Sequence, residues 1–290
     1  MKNLSYGKEA RPTPIIVLGW FSADIIKRTL ISINLMEGIK PEIYFVENKS
    51  VNSNKIKKIV ESTPNIKGYI QYKENFAANI WKTTLEYFFD KIDSEYVTLT
   101  DGDYMYGCNS MLNQYQYLDS QKDIGIISQR RSLVGVNSYW RELIVQYWNG
   151  GIINGEETDV YSRNIRNGFL LTTAKKSDWQ TYIDTINAKT LKFETHAFGN
   201  PRAREYRCPL FFDTDMYNFF ETVLGKKSIK IKIDPSYHLT DEEHNDPDSE
   251  YNKAKGQFGY ESSWSTYQND PDFYHNKFYP DGSLKYKVII

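Results

Sequence analysis

The sequence predicts an α/β fold with a mostly parallel sheet and helices on both faces. Four short apolar runs begin near positions 15, 43, 69 and 96, and this spacing is typical of repeated strand–helix units. Stretches with helical periodicity lie between the runs. The fourth run leads directly into Asp101-Gly102-Asp103, and in open α/β sheets ligands bind beyond the carboxyl ends of the strands. These observations predict a ligand crevice at one edge of the sheet.

The first unit begins with the apolar run Ile15–Leu18. Ser22 is a suitable N-cap, and the apolar spacing after it predicts a helix that reaches Leu35. Gly38 and Pro41 then predict the end of that helix.

The later units follow the same pattern. Strands are predicted at 43–46, 69–72 and 96–100, with helices that carry Ile56 and Val60 in one case and Trp81, Leu85 and Phe88 in the other. Further strands are predicted over 124–128, 168–173 and 229–233, because apolar or alternating residues dominate there.

Four loops follow the first four strands and should open onto one crevice. They are Gly19–Ser22, Glu47–Ser50, Lys73–Asn79 and Asp101–Tyr104. Asp101 and Asp103 make this crevice suited to a hard divalent cation, which prefers oxygen ligands and often shares them with phosphates. Gly102 between them allows close approach because it has no Cβ. Asp-Gly is also a common turn dipeptide, so a polar turn is the structural alternative.

Composition excludes several classes of protein. The chain has 290 residues and a net charge of -1 with acids and bases interspersed, which argues against a nucleic-acid partner or an anionic membrane surface. Its two cysteines cannot form a disulfide framework. The N-terminal residues have no apolar signal segment, and no apolar run is long enough to span a membrane. We expect a soluble, cytoplasmic protein.

Two common nucleotide motifs are missing from the sequence. No Gly-x-Gly-x-x-Gly follows the first strand, and no Gly-x-x-x-x-Gly-Lys-Ser/Thr occurs. Their absence argues against a dinucleotide enzyme and a P-loop NTPase, although a nucleotide could be bound in another way.

The ordered loops resemble those of the GT-A-type glycosyltransferases, especially the inverting family-2-like enzymes, over roughly residues 13–240. The resemblance rests on the first strand and loop, an acid after strand two, Asn75…Asn79 before a helix, and Asp101-Gly102-Asp103. It implies a GT-A fold, with a Rossmann-like, mostly parallel sheet flanked by helices and a C-terminal extension. The nucleotide-sugar contacts that it implies are Gly19, Trp20, Phe21, Glu47, Asn75, Asn79, Asp101 and Gly102.

The resemblance also implies a Mn²⁺ or Mg²⁺ site. By position, Asp103 is the metal ligand, and Asp101 contacts the ribose or the metal. His238 follows a predicted strand, as a further metal ligand does in many family members, and His244 is near enough to compete. The sequence departs from the usual pattern at Glu47-Asn48, where an aspartate pair is more common, and at Trp20-Phe21. These departures leave the base of the donor open.

The resemblance places the catalytic base in an acidic motif just before a helix, and Asp213-Thr214-Asp215 matches it. An inverting transfer needs a carboxylate that takes the proton from the attacking hydroxyl. Asp213 is the first candidate and Asp215 the second. The structural alternative is an N-cap, since an aspartate ahead of Met216-Tyr217 suits a helix start.

The second half of the chain predicts two departures from the regular pattern. Residues 129–167 are polar, aromatic and punctuated by glycine, which is typical of a lid or of a variable surface insertion.

Residues 1–240 are expected to form the nucleotide-sugar-binding and catalytic domain. Residues 241–290 are expected to form an extension that packs on the same domain.

The predicted function is metal-dependent transfer of a sugar from a nucleoside-diphosphate sugar to a saccharide or glycoconjugate acceptor. Other α/β enzymes that remain open are a sugar nucleotidyltransferase and an Asp-X-Asp phosphatase. The former usually has a basic, glycine-rich first loop, and the latter carries its motif on the first strand. A carbohydrate-binding protein without catalysis is the alternative outside enzymology, since the 23 tyrosines and six tryptophans would suit sugar stacking.

Overall fold

The structure, a computed structural model, describes residues 10–76, 80–131, 160–162, 169–187, 216–217, 219–239, 246–257, 273 and 276–290. Its helices are α1 (Ala23–Asn34), α2 (Ser53–Ser62), α3 (Trp81–Phe89), α4 (Ser110–Ser120), α5 (Lys176–Asn187) and α6 (Glu250–Gln257). A short π-helix covers Phe219–Val223.

The strands form a sheet with β1 near its centre. Their bounds are β1 (Arg11–Gly19), β2 (Ile39–Glu47), β3 (Ile66–Tyr72), β4 (Tyr96–Asp101), β5 (Tyr104–Met105), β6 (Ile124–Arg131), β7 (Val160–Ser162), β8 (Thr172–Lys175), β9 (Lys227–His238) and β10 (Tyr286–Val288). The order is β10-β3-β2-β1-β4-β8-β6-β9-β5, and β7 pairs with β9.

The first four predicted strands form a parallel block. β2 and β4 both pair with β1 in parallel, and β3 adds to β2 in the same direction. β8 then runs antiparallel between β4 and β6, and β9 is parallel to β6. The predicted α/β class with a central, mostly parallel sheet is confirmed. β8 corresponds to the strand predicted at 168–173, but its antiparallel direction was not predicted from the sequence.

Helices cover both faces of the sheet. Side chains of α1, α2 and α4 pack with Ile15 and Val17 of β1 in one buried cluster. Side chains of α3, α5 and the π-helix pack with Ile16 in the other cluster. Because successive side chains of a strand point to opposite faces, the apolar run in β1 supplies both layers; Ile15, Ile16 and Val17 are completely buried and Leu18 is partly buried.

Two predicted boundaries were wrong. The run 168–173 is not a strand throughout: β8 begins at Thr172, because Leu171 has a positive φ of 45° that interrupts extended backbone. The predicted helix end is confirmed, since α1 ends at Asn34 with Leu35 as its C-cap, but the second strand begins at Ile39 and not at 43, so Pro41 lies inside β2. Its register partner is Thr13 of β1, and pairing with β3 starts only at Ile43, so proline occupies a position with a strand on one side.

The C-terminal residues contact the parallel block. β10 pairs antiparallel with β3, and Tyr251 of α6 packs against Trp20 and Phe21. Most of the predicted excursion at 129–167 lies outside the described residues. Within the part of the chain that the structure describes, no helix combines the length and the apolar character needed to cross a membrane.

Candidate metal and nucleotide site

Three predicted site residues end neighbouring parallel strands in one row. Leu18 of β1 is in register with Asp101 of β4, and Gly19 is in register with Glu47 of β2. The carboxyl ends of these strands therefore meet at the same edge, where ligands of open α/β sheets bind.

The turn after β4 is held tightly against β1 and α1. The Gly102 N–H donates to the Leu18 carbonyl oxygen at 2.7 Å, and Thr29 Oγ1 donates to the Gly102 carbonyl oxygen at 2.9 Å. A Cβ on Gly102 would lie 2.7 Å from the Leu18 oxygen and 3.3 Å from the Gly19 Cα. Only glycine fits here, because the obstacle is backbone and not a flexible side chain.

Asp103 directly precedes β5 and lies beside His238, the last residue of β9. β5 pairs antiparallel with the end of β9, with Tyr104 opposite His238, and the Leu239 N–H donates to the Asp103 carbonyl oxygen at 2.7 Å. The two side chains meet at 3.1 Å between His238 Nε2 and Asp103 Oδ2. The His238 ring also packs against the Tyr104 ring, with centroids 5.0 Å apart. The fold thus brings together residues that are remote in sequence.

The second oxygen of Asp103 is available to a ligand. Asp103 Oδ1 is buried and has no hydrogen-bond partner among the described residues, although a buried carboxylate oxygen normally has one. Asp103 and His238 keep side-chain exposures of 36% and 21%, so the pair lies at an accessible edge and not in the core. The arrangement leaves one acceptor atom of Asp103 without a hydrogen bond from the described residues, and a cation could satisfy it.

The Asp103 carboxylate and the His238 imidazole are suitable ligands for a divalent metal that substrate phosphates also help to bind. Carboxylate suits Mg²⁺ and Mn²⁺, and imidazole is a common ligand of transition metals. In the described part of the chain, no group of three or more His, Cys, Asp or Glu side chains could enclose a metal ion. Asp103 and His238 therefore fit a metal only as a partial set of ligands, which water and a diphosphate would complete.

Asp101 is tethered to the segment that precedes β8. Its backbone N–H donates to the Phe169 carbonyl oxygen at 2.8 Å, and the Phe169 N–H approaches Asp101 Oδ2 at 3.4 Å. The carboxylate is half-buried. Asp101 therefore lies beside Asp103 at the strand end, with one of its oxygens directed toward backbone.

Glu47 lies in the same row of strand ends but is enclosed by other side chains. It is fully buried, and its carboxylate accepts hydrogen bonds from Tyr69 Oη, Ser53 Oγ and Gln71 Nε2, the last at 3.0 Å. Burial, reinforced by this carboxylate, raises the pKa of Tyr69 far above its usual value. Glu47 thus connects β2, β3 and the start of α2, and nothing in this geometry exposes it to a ligand.

Asn48 is a site-lining residue that the sequence analysis did not select. It is buried, its N–H donates to the Gly19 carbonyl oxygen at 3.0 Å, and its Oδ1 accepts from the Phe76 N–H at 2.9 Å. Asn48 therefore joins the loops that follow the first three strands. Its departure from the family pattern was the one available signal.

The first loop carries a cluster of aromatic rings. Phe21 is buried with a positive φ of 62°, and Asn52 Nδ2 donates to its carbonyl oxygen at 2.9 Å. Trp20 and Tyr251 have ring centroids 5.3 Å apart, and Phe21 and Tyr251 are 5.4 Å apart. Tyr251 could not be found from the sequence because the contact depends on how the C-terminal segment folds back.

The remaining predicted residues divide into two groups. Asn75 is half-buried in the loop after β3, next to Phe76. Asn79, Asp213, Asp215 and His244 lie outside the described residues. The structure therefore places the described residues of the first four loops at one edge of the sheet and brings Asp103 next to His238.

Comparisons with known proteins agree with this architecture at the level of fold. No protein-family model matches the sequence, and no curated protein matches it either. Among solved structures, the mannosyltransferase PcManGT from Pyrobaculum calidifontis, in complex with GDP-Man and Mn²⁺, aligns with a TM-score of 0.51 and 14% identity. The alignment covers 81% of this chain and 58% of that one.

TarS from S. aureus in complex with UDP-GlcNAc aligns less well. Its residues 1–349 give a TM-score of 0.48 at 11% identity, covering 80% of this chain and 59% of that chain. The present chain thus spans less than two thirds of either solved protein. The similarity to the mannosyltransferase, together with the strand order and the position of Asp101-Gly102-Asp103, shows that this chain has the GT-A-type glycosyltransferase fold.

Proposed function

We propose that the protein is a metal-dependent glycosyltransferase that moves a sugar from a nucleoside-diphosphate sugar to an acceptor hydroxyl with inversion. One observation carries the proposal: Asp103 has a buried Oδ1 that no described residue hydrogen-bonds, and its Oδ2 lies 3.1 Å from His238 Nε2 at the carboxyl edge of the sheet. A structure of the same fold was solved with GDP-Man and Mn²⁺, which supports the choice of ligand. The acceptor would be a saccharide or glycoconjugate, and the reaction would be a step in polysaccharide or glycoconjugate synthesis.

Asp103 and His238 would hold Mn²⁺ or Mg²⁺ together with the donor diphosphate. When bound, the metal ion supplies positive charge next to the leaving group. The Asp103 carboxylate is kept in place by the β5–β9 pairing and by the fixed Gly102 turn, so it needs little rearrangement. Such preorganisation favours a charge-stabilising site.

The loops after β1, β2 and β3 would bind the nucleoside and orient the sugar. Trp20 and Phe21 supply apolar surface, and Asn75 and Asp101 supply polar groups at the same edge. Glu47 would act indirectly, because its carboxylate already accepts three hydrogen bonds. At Gly19 and Gly102 the space that a Cβ would need is filled by Phe45 and by the Leu18 carbonyl oxygen, so these glycines would support the donor loops through packing, and Asn79 would add a polar contact. Holding the donor in one orientation converts a bimolecular encounter into a positioned reaction.

Asp213 would accept the proton of the acceptor hydroxyl as its oxygen attacks the anomeric carbon and the bond to the nucleoside diphosphate breaks. Asp215 is the second candidate for this role. A carboxylate in this role acts as a general base, and attack from the face opposite the leaving group gives inversion. The experiment that tests the assignment compares Asp213→Asn and Asp215→Asn in donor turnover, with nucleotide binding as the folding control.

The first test of the function is a thermal-shift panel of nucleoside diphosphates with and without Mn²⁺. A ligand that binds only the native state raises its apparent stability. We expect a Mn²⁺-dependent rise with at least one nucleotide, and its loss in Asp103→Asn. Asp123→Asn is the matched control, because Asp123 is an exposed carboxylate paired with Lys227 away from the crevice. No shift with any nucleotide in either condition would overturn the proposal.

A further inference from the structure

Lys285 occupies an unusual environment next to the loop after β3. Its side chain is only 3% exposed, and its ammonium donates to the Phe273 carbonyl oxygen. The ammonium nitrogen lies 4.1 Å from the ring centroid of Phe273, 5.5 Å from that of Phe76 and 5.8 Å from that of Tyr279. Lysine is rarely buried unless it is paired, and aromatic faces attract an ammonium most strongly when it is desolvated.

The group around Lys285 contacts the loop Lys73–Phe76 at several points. We call Phe273, Tyr279 and Lys285 the C-terminal clamp. The Lys73 N–H donates to the Lys285 carbonyl oxygen at 2.8 Å, and Tyr279 Oη donates to Glu74 Oε1 at 2.7 Å. The rings of Phe76 and Phe273 have centroids 5.8 Å apart. The clamp therefore holds the loop on both sides of Asn75.

The same loop is joined to the candidate site on its other side. The Phe76 N–H donates to Asn48 Oδ1 at 2.9 Å, and the Asn48 N–H donates to the Gly19 carbonyl oxygen at 3.0 Å. Phe76 is itself buried, with 6% exposure. A continuous set of contacts thus runs from Lys285 through Phe76 and Asn48 to the first loop.

We propose that Lys285 is a positioning residue for the nucleotide-sugar site, acting through Phe76 and Asn48 on the loops that follow the first three strands. This inference rests on the proposed function, because it assumes that the crevice binds a nucleotide. The Lys285 ammonium lies among the rings of Phe76, Phe273 and Tyr279. Its effect on the ligand is therefore indirect. Sites of this kind lose function when the supporting side chains are removed, even if every contacting residue is retained.

The test uses the full chain with three variants. Lys285→Met keeps the length and packing of the side chain but removes its charge and its hydrogen bond, whereas Lys285→Arg retains both. Lys287→Met is the matched control, because Lys287 is exposed two residues away on β10. Two quantities are measured: the Kd of GDP and UDP in the presence of Mn²⁺ by calorimetry, and backbone hydrogen exchange without ligand.

In Lys285→Met we expect faster exchange at Lys73–Phe76, no change in α4, and a Kd about tenfold higher for the nucleotide that the wild type binds. Lys285→Arg should stay within about threefold of the wild type, and Lys287→Met should match it. A residue that only stabilises the fold would instead raise exchange throughout the chain, and its loss would leave the Kd of the folded protein unchanged.

The other outcomes overturn one proposal or both. If the wild type binds GDP or UDP but Lys285→Met binds it equally well, the positioning role is wrong and the proposed function stands. If the wild type binds no nucleotide, the proposed function fails and this inference fails with it. If Lys285→Met does not fold, Tyr279→Phe removes only the hydrogen bond to Glu74, and an unchanged Kd in that variant would refute the role of the clamp.

Discussion

The Gly102 N–H donates to the Leu18 carbonyl oxygen at 2.7 Å, and a Cβ on Gly102 would lie 2.7 Å from that same oxygen. The glycine between the two aspartates is therefore required by the neighbouring strand. The sequence alone predicts that its missing Cβ lets ligand and backbone approach. The structure shows that the approaching backbone is that of β1. This contact fixes the position of Gly102 and therefore of Asp103, the next residue.

Gly102→Ala is expected to lower the free energy of unfolding by about 2 kcal/mol, because a methyl group forced against backbone must displace β1 or the turn. It should also abolish Mn²⁺-dependent nucleotide binding, since Asp103 would move. Urea unfolding and the thermal-shift panel measure the two effects. Gly282→Asn is the control: Gly282 has open space around it and a positive φ of 80°, which asparagine tolerates. A Gly102→Ala protein with wild-type stability would contradict the geometry.

Tyr251→Ala is expected to weaken nucleotide binding and to lower the free energy of unfolding by about 3 kcal/mol. The reason is that Tyr251 packs on Trp20 and Phe21, with ring centroids 5.3 and 5.4 Å away, and thereby holds the first loop. Tyr251→Phe keeps the rings in contact and should bind nucleotide as the wild type does. Equal nucleotide affinity in Tyr251→Ala would show that α6 has no part in the site.

The parallel block could be predicted from sequence because its signals are local. Each of β1 to β4 is a short run of buried apolar residues, and each is followed by residues with helical spacing or turn residues. The position of Asp101-Gly102-Asp103 after β4 then follows from topology alone. His238 could be placed next to Asp103 only through the family resemblance, since the β5–β9 pairing leaves no local signal.

The elements α4 and β5 were not predicted, because contacts with other parts of the chain contribute to defining them. α4 has an apolar spacing of Met111, Tyr115 and Leu118, but its buried face also contains Ser110 and Gln114, and these polar residues weaken the apolar stripe in the sequence. Gln114 Nε2 donates to the Leu171 carbonyl oxygen at 2.8 Å, a partner in the segment that precedes β8. β5 has two residues and is defined only by its pairing with β9. Tertiary contacts decide such elements, and a single sequence does not display those contacts.

Alkaline pH should destabilise the protein through its buried tyrosines. Burial raises the pKa of Tyr286 to about 12, with smaller effects of Tyr87 and Glu86, whereas an unfolded tyrosine titrates near about 10. The stabilisation is fully present below the unfolded value and is lost as pH rises toward the folded one, because the unfolded chain loses its proton first. The free energy of unfolding should therefore fall between about pH 10 and about pH 12.

Tyr286→Phe removes one of the groups responsible. Urea unfolding over this pH range should show a shallower decline in Tyr286→Phe than in the wild type, by about 1.4 kcal/mol per pH unit. The two proteins should have the same pH dependence near neutrality, where the hydroxyl is protonated in both states. Parallel declines above about pH 10 would assign the loss to other groups.

Glu47 offers a test that separates support from ligand contact. Glu47→Ala leaves the hydrogen-bond donors of Tyr69, Ser53 and Gln71 without their shared acceptor, so the free energy of unfolding should fall by about 3 kcal/mol. Tyr69→Phe alone should cost about 1 kcal/mol. In the double variant the loss should be smaller than the sum of the two, because the tyrosine hydroxyl is no longer stranded.

The control for Glu47 is Glu42→Ala, since Glu42 lies on the same strand and is partly exposed; its change should stay within about 0.5 kcal/mol. Urea unfolding gives all four values, and calorimetry with nucleotide and Mn²⁺ gives the affinity. If Glu47 supports the loops, affinity should fall together with stability, because the ends of β2 and β3 loosen. If stability is unchanged and only affinity is lost, Glu47 contacts the nucleotide directly, and the enclosed carboxylate of this structure must open to do so.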